Sequence, residues 1–304
     1  MSKANPLISI ALCTYNGAEF LVQQLESILS QSYQNIEIII GDDCSTDDTL
    51  RIIAKYECED PRIKIYKNAK NIGFNKNFGK TISLTTGDFI ALSDQDDIWD
   101  KHKIAELFHA IGDNWVIFSN SQLINSKGEL LNSFLLKDFG LGKQSYTSLL
   151  LNNYVTGHTS LIKREALNYI LPFPEEGFYD WWIGFSAIYH GKLGYLNKVL
   201  TKYRIHPNSI IQAIELSFSF KSIQSDEKCR LIIQLNCFLK YPHLKEEDEK
   251  YIKGILNAVV QQTSGNSWPL FKIIITQYSI FFSNKKPRKL FSRLNFARRF
   301  FRAM

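Results

Sequence analysis

The segment Ser93-Asp94-Gln95-Asp96-Asp97-Ile98-Trp99 packs three carboxylates into four consecutive residues. In an extended stretch alternate side chains point the same way, so Asp94 and Asp96 can face one ligand together. Two such carboxylates repel each other unless a cation lies between them. Mg²⁺ or Mn²⁺, held by one or two carboxylates and completed by substrate phosphates, is the natural occupant. The competing reading is a polar strand end whose aspartates cap a following helix. A second acidic segment, Gly41-Asp42-Asp43-Cys44-Ser45, can accept hydrogen bonds from a ribose or a base. A third, Cys13-Thr14-Tyr15-Asn16, is polar and uncharged.

These segments need a scaffold that brings them together. Four apolar, β-branched runs read as strands: Leu7–Leu12, Ile36–Ile40, Ile63–Tyr66 and Phe89–Leu92. Between them, Glu19–Ser30 places Leu21, Leu25, Ile28 and Leu29 on one helical face. Asp47–Tyr56 opens on the capping pattern Ser45-Thr46-Asp47-Asp48, and Phe78–Leu84 is a shorter helix. Alternating strands and helices imply right-handed crossovers and a parallel sheet; strands apolar throughout imply that both of its faces are covered. In open parallel sheets ligands bind beyond the carboxyl ends of the strands. Residues 13–16, 41–45 and 93–97 are those ends, so the three polar segments converge on one rim. From Lys103 to Arg204 short strands (Trp115–Ser119, Leu193–Leu196) alternate with helices (Ser145–Asn152, Trp181–His190), and beyond Ile210 the chain reads as helical.

Composition removes several classes. The 304 residues are 45% hydrophobic and 22% charged, the balance of an ordinary globular protein. No apolar run approaches the roughly 18 residues of a spanning helix, and the first ten residues show no apolar core of a signal peptide. Five scattered cysteines without a CxxC pair point to neither a zinc site nor a disulfide framework, and they fit a reducing cytoplasm. The net charge of +6 is local: eight basic residues and no acidic ones follow Asn284, leaving 28 basic against 30 acidic before it. A nucleic-acid binder would carry that charge on a folded face, so no nucleic acid is expected. Residues 13–19 contain Gly17 alone, so the glycine fingerprint of dinucleotide folds is missing. Gly73-Phe74-Asn75-Lys76-Asn77-Phe78-Gly79-Lys80-Thr81 is not a P-loop: five residues separate its glycines, and Lys67–Asn71 intervenes after the strand.

Taken in order, Thr14-Tyr15-Asn16 with Glu19, Gly41-Asp42-Asp43-Cys44-Ser45-Thr46-Asp47, Asn71-Ile72-Gly73 with Asn77, and Gly87-Asp88 leading to Asp94-Gln95-Asp96-Asp97-Ile98-Trp99 resemble the motifs of family 2 glycosyltransferases. Thr156-Gly157-His158, Tyr179-Asp180-Trp181-Trp182 and Tyr203-Arg204-Ile205-His206 extend the match more weakly, over about two thirds of the chain. Cys44 stands where family members often have Gly or Asn. The resemblance implies a GT-A (Rossmann-like) α/β fold, with a mostly parallel central sheet flanked by helices and a C-terminal helical extension. It implies transfer of a sugar from a nucleoside-diphosphate donor with inversion. It assigns Thr14, Tyr15, Glu19, Asp43, Asp94 and Arg204 to the donor, with Lys76 a further diphosphate contact if it is not simply solvated. Asp96 and His206 go to a divalent metal, Mg²⁺ or Mn²⁺, which would stabilise the departing diphosphate. Asp180 is the carboxylate base that an incoming hydroxyl needs, with Glu175 and Glu176 as alternatives, and an N-cap as its structural reading. His158, Trp181 and Trp182 are assigned to the acceptor, the two tryptophans serving equally well as core. Tyr203-Arg204-Ile205-His206 also resembles the subset that transfers rhamnose from dTDP-rhamnose. The rivals are a nucleotide-sugar binding protein without turnover and a sugar nucleotidyltransferase. The latter would carry a glycine-rich basic loop after its first strand, and none is seen.

On this reading residues 1–103 form the nucleotide-sugar half of the GT-A domain, 104–210 the acceptor and catalytic half, and 211–304 a helical region with a basic amphipathic tail. On a helix Leu290, Leu294, Ala297 and Phe301 align, Phe291 and Phe300 widen the stripe, and Arg288, Lys289, Arg299 and Arg302 lie around the other side. Such a helix suits an anionic membrane surface. Trp268–Phe282 before it is apolar and too short to span; it packs on the protein or lies at the interface. These features predict a cytoplasmic enzyme, peripheral at the inner face of the cell membrane, acting on a glycan or lipid-linked glycan in surface polysaccharide synthesis.

Overall fold

A computed structural model describes residues 5–137, 139–142, 145–206, 222–263, 267–283 and 288–303. The first hundred residues alternate as the periodicity requires: β1 (Ile8–Thr14), α1 (Ala18–Leu29), β2 (Ile36–Asp42), α2 (Thr49–Glu59), β3 (Ile63–Lys67), α3 (Phe74–Ser83), β4 (Phe89–Ser93) and the short β5 (Ile98–Trp99). Next come α4 (Lys103–Ala110), β6 (Val116–Ile124), β7 (Leu130–Phe134), β8 (Ser160–Lys163), α5 (Leu167–Ile170), α6 (Tyr179–Tyr189) and β9 (Leu193–Arg204). The C-terminal part contributes α7 (Ser222–Leu239), α8 (Glu246–Thr263), α9 (Trp268–Thr276), α10 (Tyr278–Phe281) and α11 (Leu290–Ala303).

The nine strands form one sheet in the order β3-β2-β1-β4-β8-β6-β9-β5, with β7 added on β6. The run β3-β2-β1-β4 is parallel. Beyond it β8 lies antiparallel to both β4 and β6, and β6 and β9 are parallel. The sheet is thus α/β and mixed, parallel in the half where strands and helices alternate. Ile8, Ile10 and Leu12 face one core with Leu21, Leu25 and Ile28 of α1, while Ala11 faces the other with Ile90, Leu92 and Phe118. Strand alternation therefore feeds two cores, and both sheet faces are covered.

Three elements differ from the periodicity. The helix expected at Phe78–Leu84 begins at Phe74, directly after Gly73 at φ +84° turns the chain. The helix expected over Ser145–Asn152 shrinks to a 3₁₀ turn at Tyr146–Leu149. There Ser145 Oγ accepts from the Thr147 N–H at 3.4 Å and Ser148 Oγ donates to the Ser145 carbonyl at 2.8 Å, local bonds that compete with helix propagation. The strand expected at Leu193–Leu196 continues to Arg204, and so carries Tyr203 and Arg204 back to the sheet end where β4 stops.

The apolar segment before the tail packs inward: Leu270, Ile274, Tyr278, Phe281 and Phe282 are buried. On α11 Ala297 is buried and Phe296 lies 4.7 Å from the Phe282 ring. The inward face is thus 296–297, and Leu290 and Phe291 point outward, 60% and 82% exposed. Lys285 and Lys286 lie outside the described residues, as do the side chains of Arg299, Phe300, Phe301 and Arg302. No described helix is long and apolar enough to cross a membrane.

Candidate active site

The strand order reverses at β1, with β2 on one side and β4 on the other, and the polar segments meet at that crevice. Gln95 joins two of them. Its Oε1 accepts from the Tyr15 N–H at 2.8 Å and its Nε2 donates to the Tyr15 carbonyl at 3.0 Å. A Cβ at Gly17, the residue just before α1, would lie 2.1 Å from the same Oε1, so glycine leaves room for Gln95 there. The third segment is fixed by Asp42, which accepts from Thr14 Oγ1 at 2.9 Å and from the Ser45 N–H at 2.9 Å. Cys44 beside it sits at φ +67°, a left-handed conformation that Gly and Asn adopt most readily.

Of the residues expected to hold the donor, Tyr15 is half-exposed on the rim and Glu19 is exposed in the first turn of α1. Thr14 is buried, with its hydroxyl committed to Asp42. Asp43 is buried as well and clamps the 71–73 loop: Oδ1 accepts from Asn68 Nδ2 at 2.9 Å and the Ile72 N–H at 2.8 Å, and Oδ2 from the Gly73 N–H at 2.9 Å. A carboxylate has about four acceptor positions, so one remains for a ligand. Lys76 is paired with Glu175 at 2.9 Å on the surface.

Arg204 requires a correction. It is 1% exposed and turned inward, not toward a phosphate. Its Nε donates to the Asp96 carbonyl at 2.7 Å, Nη1 to Ser126 O at 3.0 Å and Asn125 O at 3.3 Å, and Nη2 to Gln23 Oε1 at 2.6 Å. Its own N–H donates to Asp97 Oδ1 at 3.1 Å. With four of its five N–H donors committed to the protein, Arg204 anchors the acidic loop.

Asp96 and His206 do meet: Asp96 Oδ2 lies 2.8 Å from His206 Nε2, both largely buried. Asp94 is more open and reaches toward His158, 3.8 Å from Nδ1 to Oδ2. Burial raises its carboxyl to about 7, with the charges of Asp96 and then Asp180 adding to the effect. Asp97 is fully buried and pushed up by burial, then by Asp96 and Asp94. Asp94, Asp97 and His158 bring one ligand atom each within 4.8 Å of one another.

Asp180 lies in the first turn of α6, with Phe178 as the capping residue, so the N-cap reading is not what the structure shows. Its Oδ1 accepts from the Trp181 N–H at 2.6 Å and from Asn153 Nδ2 at 3.2 Å. Burial lifts its carboxyl to about 6, opposed by hydrogen bonds from the Trp181 and Gly157 backbones and from Asn153. That is a carboxylate ionised at neutral pH yet basic enough to take a proton. Asn75, which the sequence did not single out, ties this helix to α3: Oδ1 accepts from the Tyr179 N–H at 3.1 Å and Nδ2 donates to Gly177 O at 3.0 Å.

The three residues expected at the acceptor are placed otherwise. Trp181 and Trp182 are buried, their indole N–H groups donating to Leu149 O at 2.6 Å and Ile170 O at 2.8 Å, with their edges on Phe238 and Tyr241. They hold α6 in the core and offer no face to a sugar. His158 is buried beneath the acids, bonded to Ser121 Oγ at 3.0 Å and stacked on Tyr203 at 4.7 Å. Burial, then the charge of Lys103, pushes its pKa down to about 3.

An α/β sheet thus carries at its carboxyl rim an Asp–His pair and an acidic loop, with the Asp180 carboxylate on a neighbouring helix. The glycosyl transferase family 2 model matches residues 9–171, more than half of the chain, and the chain belongs to that family; it is a glycosyltransferase. It is 32% identical over 213 residues to the Escherichia coli UDP-Glc:alpha-D-GlcNAc-diphosphoundecaprenol beta-1,3-glucosyltransferase WfaP, covering 67% of this chain and 79% of that protein. It is 28% identical over 249 residues to Bacillus subtilis TuaG, named for teichuronic acid biosynthesis, covering 79% and 96%. Among solved structures, S. aureus TarS 1-349 in complex with UDP-GlcNAc superposes with a TM-score of 0.59 at 18% identity, over 97% of this chain and 88% of that one. The mannosyltransferase PcManGT from Pyrobaculum calidifontis, in complex with GDP-Man and Mn²⁺, gives 0.57 at 14% identity, over 99% and 86%.

Proposed function

We propose that the chain transfers a sugar from a nucleoside-diphosphate donor to a hydroxyl of a lipid-linked glycan, by single displacement with inversion, in surface polysaccharide synthesis. The observation that supports the reading most directly is geometric: Asp96 Oδ2 lies 2.8 Å from His206 Nε2 just beyond the carboxyl end of β4, and Asn75 ties the helix that carries Asp180 to α3 on the parallel half of the sheet. Asp96 and His206 fit a divalent ion. One carboxylate and one imidazole, already within 2.8 Å of each other, leave the remaining positions to water and donor phosphates, as Mg²⁺ and Mn²⁺ prefer. Such an ion supplies Lewis-acid stabilisation of the leaving diphosphate. Tyr15 and Glu19 flank the nucleotide, Thr14 and Asp43 shape its pocket from below, and Asp180 takes the proton of the attacking hydroxyl. The lipid-linked acceptor is supported by the name of the WfaP relative, and a nucleotide-sugar donor with a metal by those of the TarS and PcManGT neighbours. The match of Tyr203-Arg204-Ile205-His206 to rhamnosyltransferases keeps dTDP-rhamnose among the donors.

In this reading residues 1–103 hold the donor, 104–210 carry the base, and 211–304 bring a cytoplasmic enzyme to an anionic membrane surface through the outward Leu290 and Phe291 and the basic residues around them. The deciding experiment measures nucleotide release from UDP-, GDP- and dTDP-sugars with Mn²⁺, with Mg²⁺ and with EDTA, for the wild type and Asp96→Asn. Metal-dependent turnover of one donor that the variant loses is expected; no turnover with any donor overturns the reading. Truncation at Asn284 should abolish liposome binding and spare donor hydrolysis, and unchanged binding would refute the membrane role.

A further inference from the structure

The helix that carries Asp180 is not capped by its own N-cap residue. Phe178 stands at that position of α6 and its side chain accepts no hydrogen bond, although the first N–H groups of a helix need acceptors from outside it. Two side chains from distant helices supply them. Asn75 of α3 accepts from the Tyr179 N–H at 3.1 Å, and Gln234 of α7 accepts through Oε1 from the Phe178 N–H at 2.8 Å. Gln234 is 0% exposed. It lies among Leu231, Leu235 and Phe238 of α7, all buried, and Phe238 stacks on Phe185 of α6 at 4.1 Å. An amide in so apolar a setting costs free energy unless it is bonded, yet its Nε2 is buried with no hydrogen-bond partner among the described residues. The one group that the glutamine serves there is the Phe178 N–H. Gly177, at φ +79°, makes room for it: a Cβ there would lie 2.6 Å from Oε1.

We infer that Gln234 is a positioning residue: it supplies, from the C-terminal helical region, a cap that α6 lacks, and together with Asn75 it fixes the turn that holds the Asp180 carboxylate. The bond at Phe178 lies two residues before Asp180 and sets how the chain enters α6. A displacement of about 1 Å at a reacting group can cost about 10²-fold in rate, so α7 belongs to the catalytic half although it follows it in sequence. The donor contacts lie elsewhere, with Tyr15 just after β1 and Glu19 in α1, so donor binding does not run through Gln234. The inference deepens the transferase reading and rests on it only in taking Asp180 as the base.

The test compares Gln234→Met, which fills the same space without an acceptor, with Gln234→Glu, which keeps the acceptor and gives up only the unpartnered Nε2. The charge that Gln234→Glu adds meets the N-terminus of α6, where the helix dipole favours it. Cys237→Ala is the control one turn further along α7, since the Cys237 thiol donates to the Glu176 carbonyl, outside α6. Tm is measured without donor, and kcat and donor KM from nucleotide release by the full chain at a temperature where every variant is folded. Gln234→Met should lower Tm by about 2–6 °C, the loss of one cap. It should lower kcat by about 10–100-fold and leave donor KM within about twofold. Gln234→Glu should keep a higher Tm than Gln234→Met and, like Cys237→Ala, a kcat within about threefold of the wild type. An unchanged kcat in Gln234→Met, equal losses in the Met and Glu variants, or an equal loss in Cys237→Ala overturns the inference. If Gln234→Met fails to fold, a folded and active Gln234→Glu supports it and any other result overturns it. Asp180→Asn separates the two readings. Should that variant still transfer sugar, the base assignment fails and the capping contrast in Tm stands; should it be inactive beside an unimpaired Gln234→Met, the positioning role fails and the base remains.

Discussion

Arg204→Lys distinguishes a structural clamp from a phosphate ligand while keeping the positive charge. The guanidinium serves four acceptors from three separate segments: Asp96 O, Asn125 O with Ser126 O, and Gln23 Oε1, at 2.6 to 3.3 Å. An ammonium projects its donors from one atom and lacks the planar fork that spans such a set. If two of the four acceptors lose their partner at about 1–2 kcal/mol each, the fold loses ~2–4 kcal/mol. At about 2–4 °C per kcal/mol, Tm should fall by ~5–15 °C. The Asp96 main chain is the acceptor of the shortest backbone contact, 2.7 Å, so the loop that carries Asp96 shifts as well. A displacement of that kind can lower kcat by about 10²-fold, and the donor KM should change less. Differential scanning fluorimetry and initial rates of nucleotide release measure both. A lysine variant with unchanged Tm and a raised donor KM alone would show that the side chain grips the diphosphate, and the clamp argument would be wrong.

Asp180→Asn should abolish transfer and leave donor binding in place; wild-type kcat/KM should rise with pH through a limb centred near 6, where burial places this carboxyl. Because the folded-state pKa is raised, ionising Asp180 costs stability: its contribution is fully present below the unfolded value near 4 and is lost as pH rises through about 6. The Tm of the wild type should therefore drop over that window, more than that of Asp180→Asn; equal drops would reject the assignment. Gly157→Ala should damage activity, since its Cβ would lie 2.2 Å from the Tyr179 hydroxyl and 2.8 Å from Cζ of the same ring, and Tyr179→Leu in that background, which removes the ring, should recover part of it; no recovery would mean that the clash is not the cause. Cys44→Gly, relieving a side chain at φ +67°, should stabilise by up to about 1 kcal/mol in urea unfolding; a loss of stability would show that the thiol contributes more than the strain costs.

The convergence of residues 13–16, 41–45 and 93–97 was legible because it follows from topology: parallel strands put their carboxyl ends on one edge, whatever the side chains do next. The position of Asp180 in the first turn of a helix was legible too. What could not be read is direction. Arg204, Trp181, Trp182 and His158 are residue types suited to a ligand, and each faces the interior because its partner lies far off in sequence. The Arg204–Asp96 contact spans 108 positions, Lys103–His158 spans 55 and Asn75–Tyr179 spans 104. No local period reports such pairs. The signal that was available is chemical: Arg204, two residues before a ligand-type histidine, is a cation at an acid-rich rim. Burial, with the charges of the neighbouring aspartates adding to it, drives Asp94 and Asp97 toward protonation. Arg204 serves the protein's own structure first, with four of its five N–H groups committed to backbone and side-chain acceptors around the acidic loop.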